Sequence, residues 1–197
     1  MKVLILAAWL LLLPLAFAFH YGPGQAQMAL DATAAKLARA EASAAQQDYA
    51  AAVASFEDAL KLLPVERKLE ARRIRLERDK AMMLAEKLPE AHADLKTLVD
   101  ELQGDASADP ELLANARSTL ANAQYYMTWL MRLEGLSRDE WEPEVESARQ
   151  TYKLLAEQAE ANGDAAAAAK HKEDLESSIR LARMDLGELQ GLPLPSQ

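Results

Sequence analysis

His20, His92 and His171 are the only imidazoles of this 197-residue chain, and they stand far apart in sequence. Metal sites on helices draw ligands from residues one turn apart, as in His-Glu-x-x-His, and no such spacing occurs. There is no glycine-rich phosphate loop and no Gly-x-Ser-x-Gly elbow. The carboxylates are many, but they sit beside Lys and Arg at helix-surface spacings, where they form solvated faces and i,i+4 pairs. Cysteine is absent, which excludes disulfides, thiolate metal sites, a cysteine nucleophile and a lipidated N-terminal cysteine. These residue types point away from an enzyme, and no metal or cofactor is expected.

Two groups of residues could bind a partner instead. The segment from Arg67 to Lys80 crowds Arg67, Lys68, Arg72, Arg73, Arg75, Arg78 and Lys80 against Glu70, Glu77 and Asp79, a formal +4 in a chain of net charge −9. Arginines Arg72, Arg73, Arg75 and Arg78 could take a carboxylate or an acidic segment bidentately. The alternative is that they pair with acids of their own and neighbouring helices. The second group is aromatic: Tyr125, Tyr126, Trp129 and Trp141. Trp141 falls on a core stripe. Tyr126 and Trp129 share a flank, where they either cover residues 135–143 or line a groove for a partner. The acidic balance argues against nucleic acid.

Helices must position these groups. Ala, Leu, Glu, Arg and Lys dominate, Gly is scarce, and no alternating run of β-branched or aromatic residues reads as a strand. Punctuation is visible: Pro64, the polar loop 103–109, Asp109 before Pro110, Gly135, the capping box Ser137–Glu140, Gly163-Asp164 and Gly191. Three apolar stripes recur at helical spacing. They are Leu113, Ala116, Leu120, Ala123, Met127, Leu130; Trp141, Val145, Ala148, Tyr152, Leu155, Ala159; and Leu175, Ile179, Ala182, Leu186, Leu189. Each stripe needs a partner helix, and short connections make consecutive helices antiparallel.

At the N-terminus, Lys2 precedes the apolar run Val3–Leu15 and the small-residue site Ala16-Phe17-Ala18. This pattern reads as a cleaved export signal. The other reading is an uncleaved anchor over 3–19, and both place the rest of the chain outside the cytoplasm. The expected order is a signal over 1–18, a flexible leader over 19–28, a helical-repeat domain over 29–190 and a Pro-rich tail over 191–197.

The stretch from Gln47 to Pro64 resembles the second half of a tetratricopeptide repeat, with Tyr49, Ala52, Phe56, Ala59 and Pro64 in that repeat's aromatic, small, large, small and closing positions. Leu88, Ala91, Leu95 and Leu98 form a weaker copy. Ala148, Tyr152 and Leu155, after Trp141, suggest a third, which requires a long insertion or lengthened helices before it. The aromatic usual in the repeat's first helix is missing near Ser43. The resemblance implies an all-α fold of antiparallel helical hairpins stacked as a short solenoid, and a protein partner held on its inner face. The expected function is an exported, periplasmic or otherwise extracytoplasmic adaptor for protein–protein interaction in the cell envelope. The alternative is a self-assembling coiled-coil-like structural protein, a homo-oligomer, or a membrane-anchored subunit of an envelope complex. Membrane contact is expected only through the N-terminal segment, if that is retained.

Overall fold

Capping side chains and left-handed turns divide the chain into helices. The computed structural model describes Pro14 and residues 23–191. Among the described residues there are eight helices and no strand: α1 (Pro23–Ala45), α2 (Tyr49–Leu62), α3 (Lys68–Leu84), α4 (Leu88–Gln103), α5 (Pro110–Leu133), α6 (Arg138–Ala161), α7 (Ala165–Arg183) and α8 (Leu186–Gln190). The protein is all-α, and consecutive helices pack against each other. None of the described helices is long and apolar enough to cross a membrane. Apart from Pro14 and Gly191, the export signal over 1–18, the alternative anchor over 3–19 and the tail over 191–197 lie outside the described residues. The leader expected over 19–28 needs correction, because α1 begins at Pro23. A proline suits the first helical position, where its missing N–H would have had no partner.

Aspartates Asp48, Asp109, Asp164 and Asp185 each accept a backbone N–H from the first turn of the helix they precede. Ser137 donates both its N–H and its hydroxyl to Glu140. At the opposite ends, Gly135 and Gly163 have φ of 78° and 76°. In each turn the next residue's N–H reaches back to a carbonyl five residues earlier, Leu136 to Met131 and Asp164 to Ala159. The same turn is made at Gln47 and Glu86 without glycine, at φ of 62° and 60°. A side chain at positive φ is strained even where space is open, as it is around Gly135. Gly135→Ala is therefore expected to cost about 1 kcal/mol in chemical unfolding. An unchanged midpoint would show that the turn adapts.

The chain divides into two compact units, one ending at Ile74 and the other beginning at Arg75. In the first, α1 and α2 form a hairpin, bridged by Lys36 Nζ to Asp58 Oδ2 at 2.8 Å. Ala52, Phe56 and Ala59 are buried, while Tyr49 and Pro64 are half-buried. Small side chains at Ala52 and Ala59 let a neighbouring helix approach closely.

The second unit is a two-layer stack. Arg75 and Arg78 of α3 reach Glu101 and Asp94 of α4, a descending pairing that sets these helices antiparallel. Gln124 of α5 donates to Ser147 of α6 at 3.0 Å, and Lys172 of α7 bridges Glu160 of α6. Contacts also skip one helix: His92 of α4 meets Glu144 of α6, and Arg132 of α5 meets the end of α7. The His92 contact holds the Glu144 carboxyl below its usual range, against the opposing effect of burial. Helices α3, α5 and α7 thus share one layer, and α4 and α6 the other.

The core of this unit follows from that sandwiching. Helix α4 buries Leu88, Ala91, Leu95, Leu98 and Leu102, each leucine worth about 1.5–3 kcal/mol in apolar surface removed from water. Helix α6 buries Trp141, Val145, Ala148, Tyr152, Leu155 and Ala159. Two of the stripes need correction. Helix α5 buries Leu112, Ala116, Ala121, Ala123, Thr128 and Trp129, whereas Leu130 is exposed and Leu113, Leu120 and Met127 are only partly covered. Flanked on several sides, α5 buries more than one face. The third stripe breaks at Met184, because Asp185 and Glu188 form a capping box that starts α8 and leaves Leu186 exposed. Helices α5 and α6 have 24 residues each.

Candidate functional site

On α5, Ser118, Asn122 and Tyr126 recur every four residues, with Thr119 three before Asn122, and so they share one helix face. The two-layer stack places that face between α3 and α7. There it forms one wall of a cleft of about 370 Å³, completed by Lys80, Met83 and Leu84 of α3, Leu88, Tyr152 of α6, and Lys170 and Asp174 of α7. The apolar floor comes from Met83, Leu84 and Leu88. The rim carries two ammonium groups, one carboxylate, a side-chain amide and several hydroxyls.

Aromatic packing stiffens this wall. Tyr126 lies edge-on to Tyr125 at 5.5 Å between ring centroids, and Tyr125 in turn lies 6.3 Å from Trp129. Tyr152 stacks on His171 at 6.4 Å. Burial raises the Tyr126 and Tyr152 phenols, with nearby Asp174 adding to both, so they act as hydrogen-bonding groups and not as bases. Burial also lowers the pKa of His171, although Asp174 opposes this. The His171 Nδ1 atom is buried without a hydrogen-bond partner, since Asp174 Oδ2 is 3.9 Å away and too distant to accept. Asp174 itself is raised by burial, which Lys170 and His171 partly offset. Among the described residues no group of His, Cys, Asp or Glu could hold a metal ion. The cleft offers charged and polar hydrogen-bonding groups above an apolar floor.

Of the residues singled out by sequence, Tyr126, Tyr152 and Leu88 meet in this cleft. Trp129 does not, and the reading of it as a groove residue is corrected. It is 5 % exposed and packs in a core with Trp141, Val145, Leu181 and Leu189, because α8 folds back beside α5. The basic segment is also reassigned in part. Arg75 Nη1 binds both oxygens of Glu101, at 2.9 and 2.8 Å. Arg78 holds Asp79 and Asp94 together. These two arginines join α3 to α4, since cations on one helix face carboxylates on its antiparallel neighbour. Arg72 and Arg73 belong to the first unit, and neither is without a partner. Sequence reasoning left Lys170, Asp174 and Asn122 unassigned. The signal was present in the i,i+4 spacing of Ser118, Asn122 and Tyr126 and of Lys170 and Asp174, but the facing of α5 and α7 was not.

No protein-family model and no curated protein matches this chain, so its function is read from its own residues.

Proposed function

We propose that this protein is an exported scaffold of tetratricopeptide-like helical hairpins that holds a segment of another protein in the cleft between α3, α5 and α7. The observation that carries this reading is the cleft itself. Its wall is assembled from alternate helices, so a segment lying across it touches several hairpins at once. Apolar side chains of the partner enter above Met83, Leu84 and Leu88, while Lys80 and Lys170 meet carboxylates or carbonyls and Asn122 pairs with backbone. The reading involves binding without catalysis. Residues 47–64, which resemble a tetratricopeptide repeat, support the helical-hairpin scaffold, and the Lys2–Ala18 export pattern supports the placement in the envelope.

The test is a photo-crosslinking amino acid at Asn122, compared with one at the exposed Glu157 on α6. The expected result is a discrete heterologous adduct from Asn122 alone. Lys80→Glu and Lys170→Glu should each reduce its yield about ten-fold, the worth of one charge-assisted hydrogen bond. Adducts only between copies of the chain would replace the adaptor with a self-assembling scaffold, and equal adducts from both positions would remove the cleft as the site.

A further inference from the structure

The first unit carries an exposed apolar end. Val65, in the turn between α2 and α3, is 83 % exposed, and Met28, Leu62 and Leu69 are exposed by 59 %, 39 % and 41 %. These residues come from three helices and one turn, yet the hairpin geometry collects Met28 with the turn. The Lys36–Asp58 bridge fixes the register of the antiparallel pair α1 and α2. Each step from Lys36 toward the start of α1 matches a step from Asp58 toward the end of α2. Met28 therefore lies about level with the turn at residues 63–67, and Leu62 and Leu69 flank that turn on either side.

The charge at this end has the opposite sign to that of the whole chain. Between Lys61 and Arg73 stand five cations, Lys61, Arg67, Lys68, Arg72 and Arg73, against two carboxylates, Glu66 and Glu70. Arg67 is paired with Glu70 at 2.9 Å and Lys61 with Asp58 at 3.3 Å, both on the surface, and Lys61 and Lys68 are exposed. On α1 the nearby acid is Asp31, which accepts from Gln27. Long basic side chains around protruding apolar ones suit an anionic lipid interface. The aliphatic residues enter the headgroup boundary and the cations stay at its surface. The chain enters α1 at this same end, four residues after the mostly apolar stretch over 3–19.

We propose that this end of the first unit rests on an anionic bilayer surface, with Met28, Leu62, Val65 and Leu69 entering the interface and Lys61 and Lys68 meeting lipid phosphates. This contact is separate from the cleft and from the N-terminal apolar run. It orients the first unit with the Gln46–Asp48 turn pointing away from the membrane.

Because the chain has no cysteine, a single introduced cysteine takes a fluorophore at one position only. The full chain is labelled with an environment-sensitive dye at Val65→Cys or at Gln46→Cys, at the other end of the hairpin. Each is titrated with vesicles of phosphatidylethanolamine and phosphatidylglycerol, and with vesicles of phosphatidylcholine. Both labelled chains contain the N-terminal run, so a difference between them reports the tip. The expected result is a blue shift and quenching by lipid-borne quenchers at position 65 with the anionic vesicles, and neither at position 46. Lys61→Gln with Lys68→Gln should raise the half-saturating lipid concentration on the order of ten-fold. Equal responses at both positions, no response at position 65, or the same response with phosphatidylcholine would overturn the proposal. A label at position 65 that is already shielded in a lipid-free dimer would give the surface to a second copy and overturn it too.

Discussion

Replacing Arg132 by alanine is expected to lower the stability of the unit beginning at Arg75 by about 3–5 kcal/mol, from a total that for such domains is about 5–15 kcal/mol. The Arg132 side chain is 9 % exposed and lies where α5, α7 and α8 meet. Its Nη1 donates to the Leu181 carbonyl and its Nη2 to the Met184 carbonyl. Those oxygens belong to the end of α7, where carbonyls have no intrahelical partner and carry the negative end of the helix dipole. The guanidinium also lies 4.8 Å from the centroid of the Trp141 ring. Burial lowers the Arg132 pKa while Asp185 opposes the shift, and a guanidinium stays protonated throughout. Alanine removes both charge-assisted bonds, the ring contact and the volume of the side chain, and leaves two buried carbonyls unpaired. Arg132→Lys keeps the charge but cannot span both oxygens, so it should lose roughly half as much. Urea unfolding followed by tryptophan emission reads this directly, because Trp129 and Trp141 share the core beside Arg132. A loss below about 1 kcal/mol for alanine would mean that α8 docks without the guanidinium.

The second large effect depends on pH. Asp79 is fully buried, its Oδ1 accepts Arg78 Nε and Nη2 at 2.9 and 2.6 Å, and its Oδ2 has no partner. Burial raises its pKa from 3.8 to about 6, Arg78 holds it down, and the nearby Asp94 pushes it further up. The folded unit therefore retains a proton that the unfolded chain releases. That contribution to stability is fully present below about 3.8 and is lost as pH rises through about 6. A shift of this size corresponds to roughly 3 kcal/mol. Asp79→Asn removes the titration while leaving an oxygen for Arg78. The difference in unfolding free energy between variant and wild type should move in favour of the variant by about that amount between pH 4 and pH 7.5. A difference that stays constant with pH would show that Asp79 is ionised across the whole range.

Several features of this protein were legible without coordinates because the signals that carry them are local. The all-α architecture follows from a composition rich in helix formers and poor in glycine. The helix starts at Asp109-Pro110, Ser137–Glu140 and Gly163-Asp164 follow from side chains that bond backbone N–H groups two or three residues away. The stripe from Trp141 to Ala159 follows from helical spacing alone. The turns at Gln47 and Glu86 were silent, since a left-handed residue that is not glycine leaves no mark in the sequence.

What only the tertiary structure decided was which faces meet. Trp129 entered the core and Leu130 did not, because α5 is covered by α4, α6, α7 and α8 at different points along its length, and a single stripe cannot describe that. Asp185 caps α8 locally, but the docking of that end against α5 depends on Arg132, more than fifty residues earlier, which binds the Leu181 and Met184 carbonyls. Arg75 and Arg78 turned toward Glu101 and Asp94 for the same kind of reason. Local bonding chemistry writes the ends of helices into the sequence, whereas the burial of a side chain depends on neighbours brought in from distant parts of the chain.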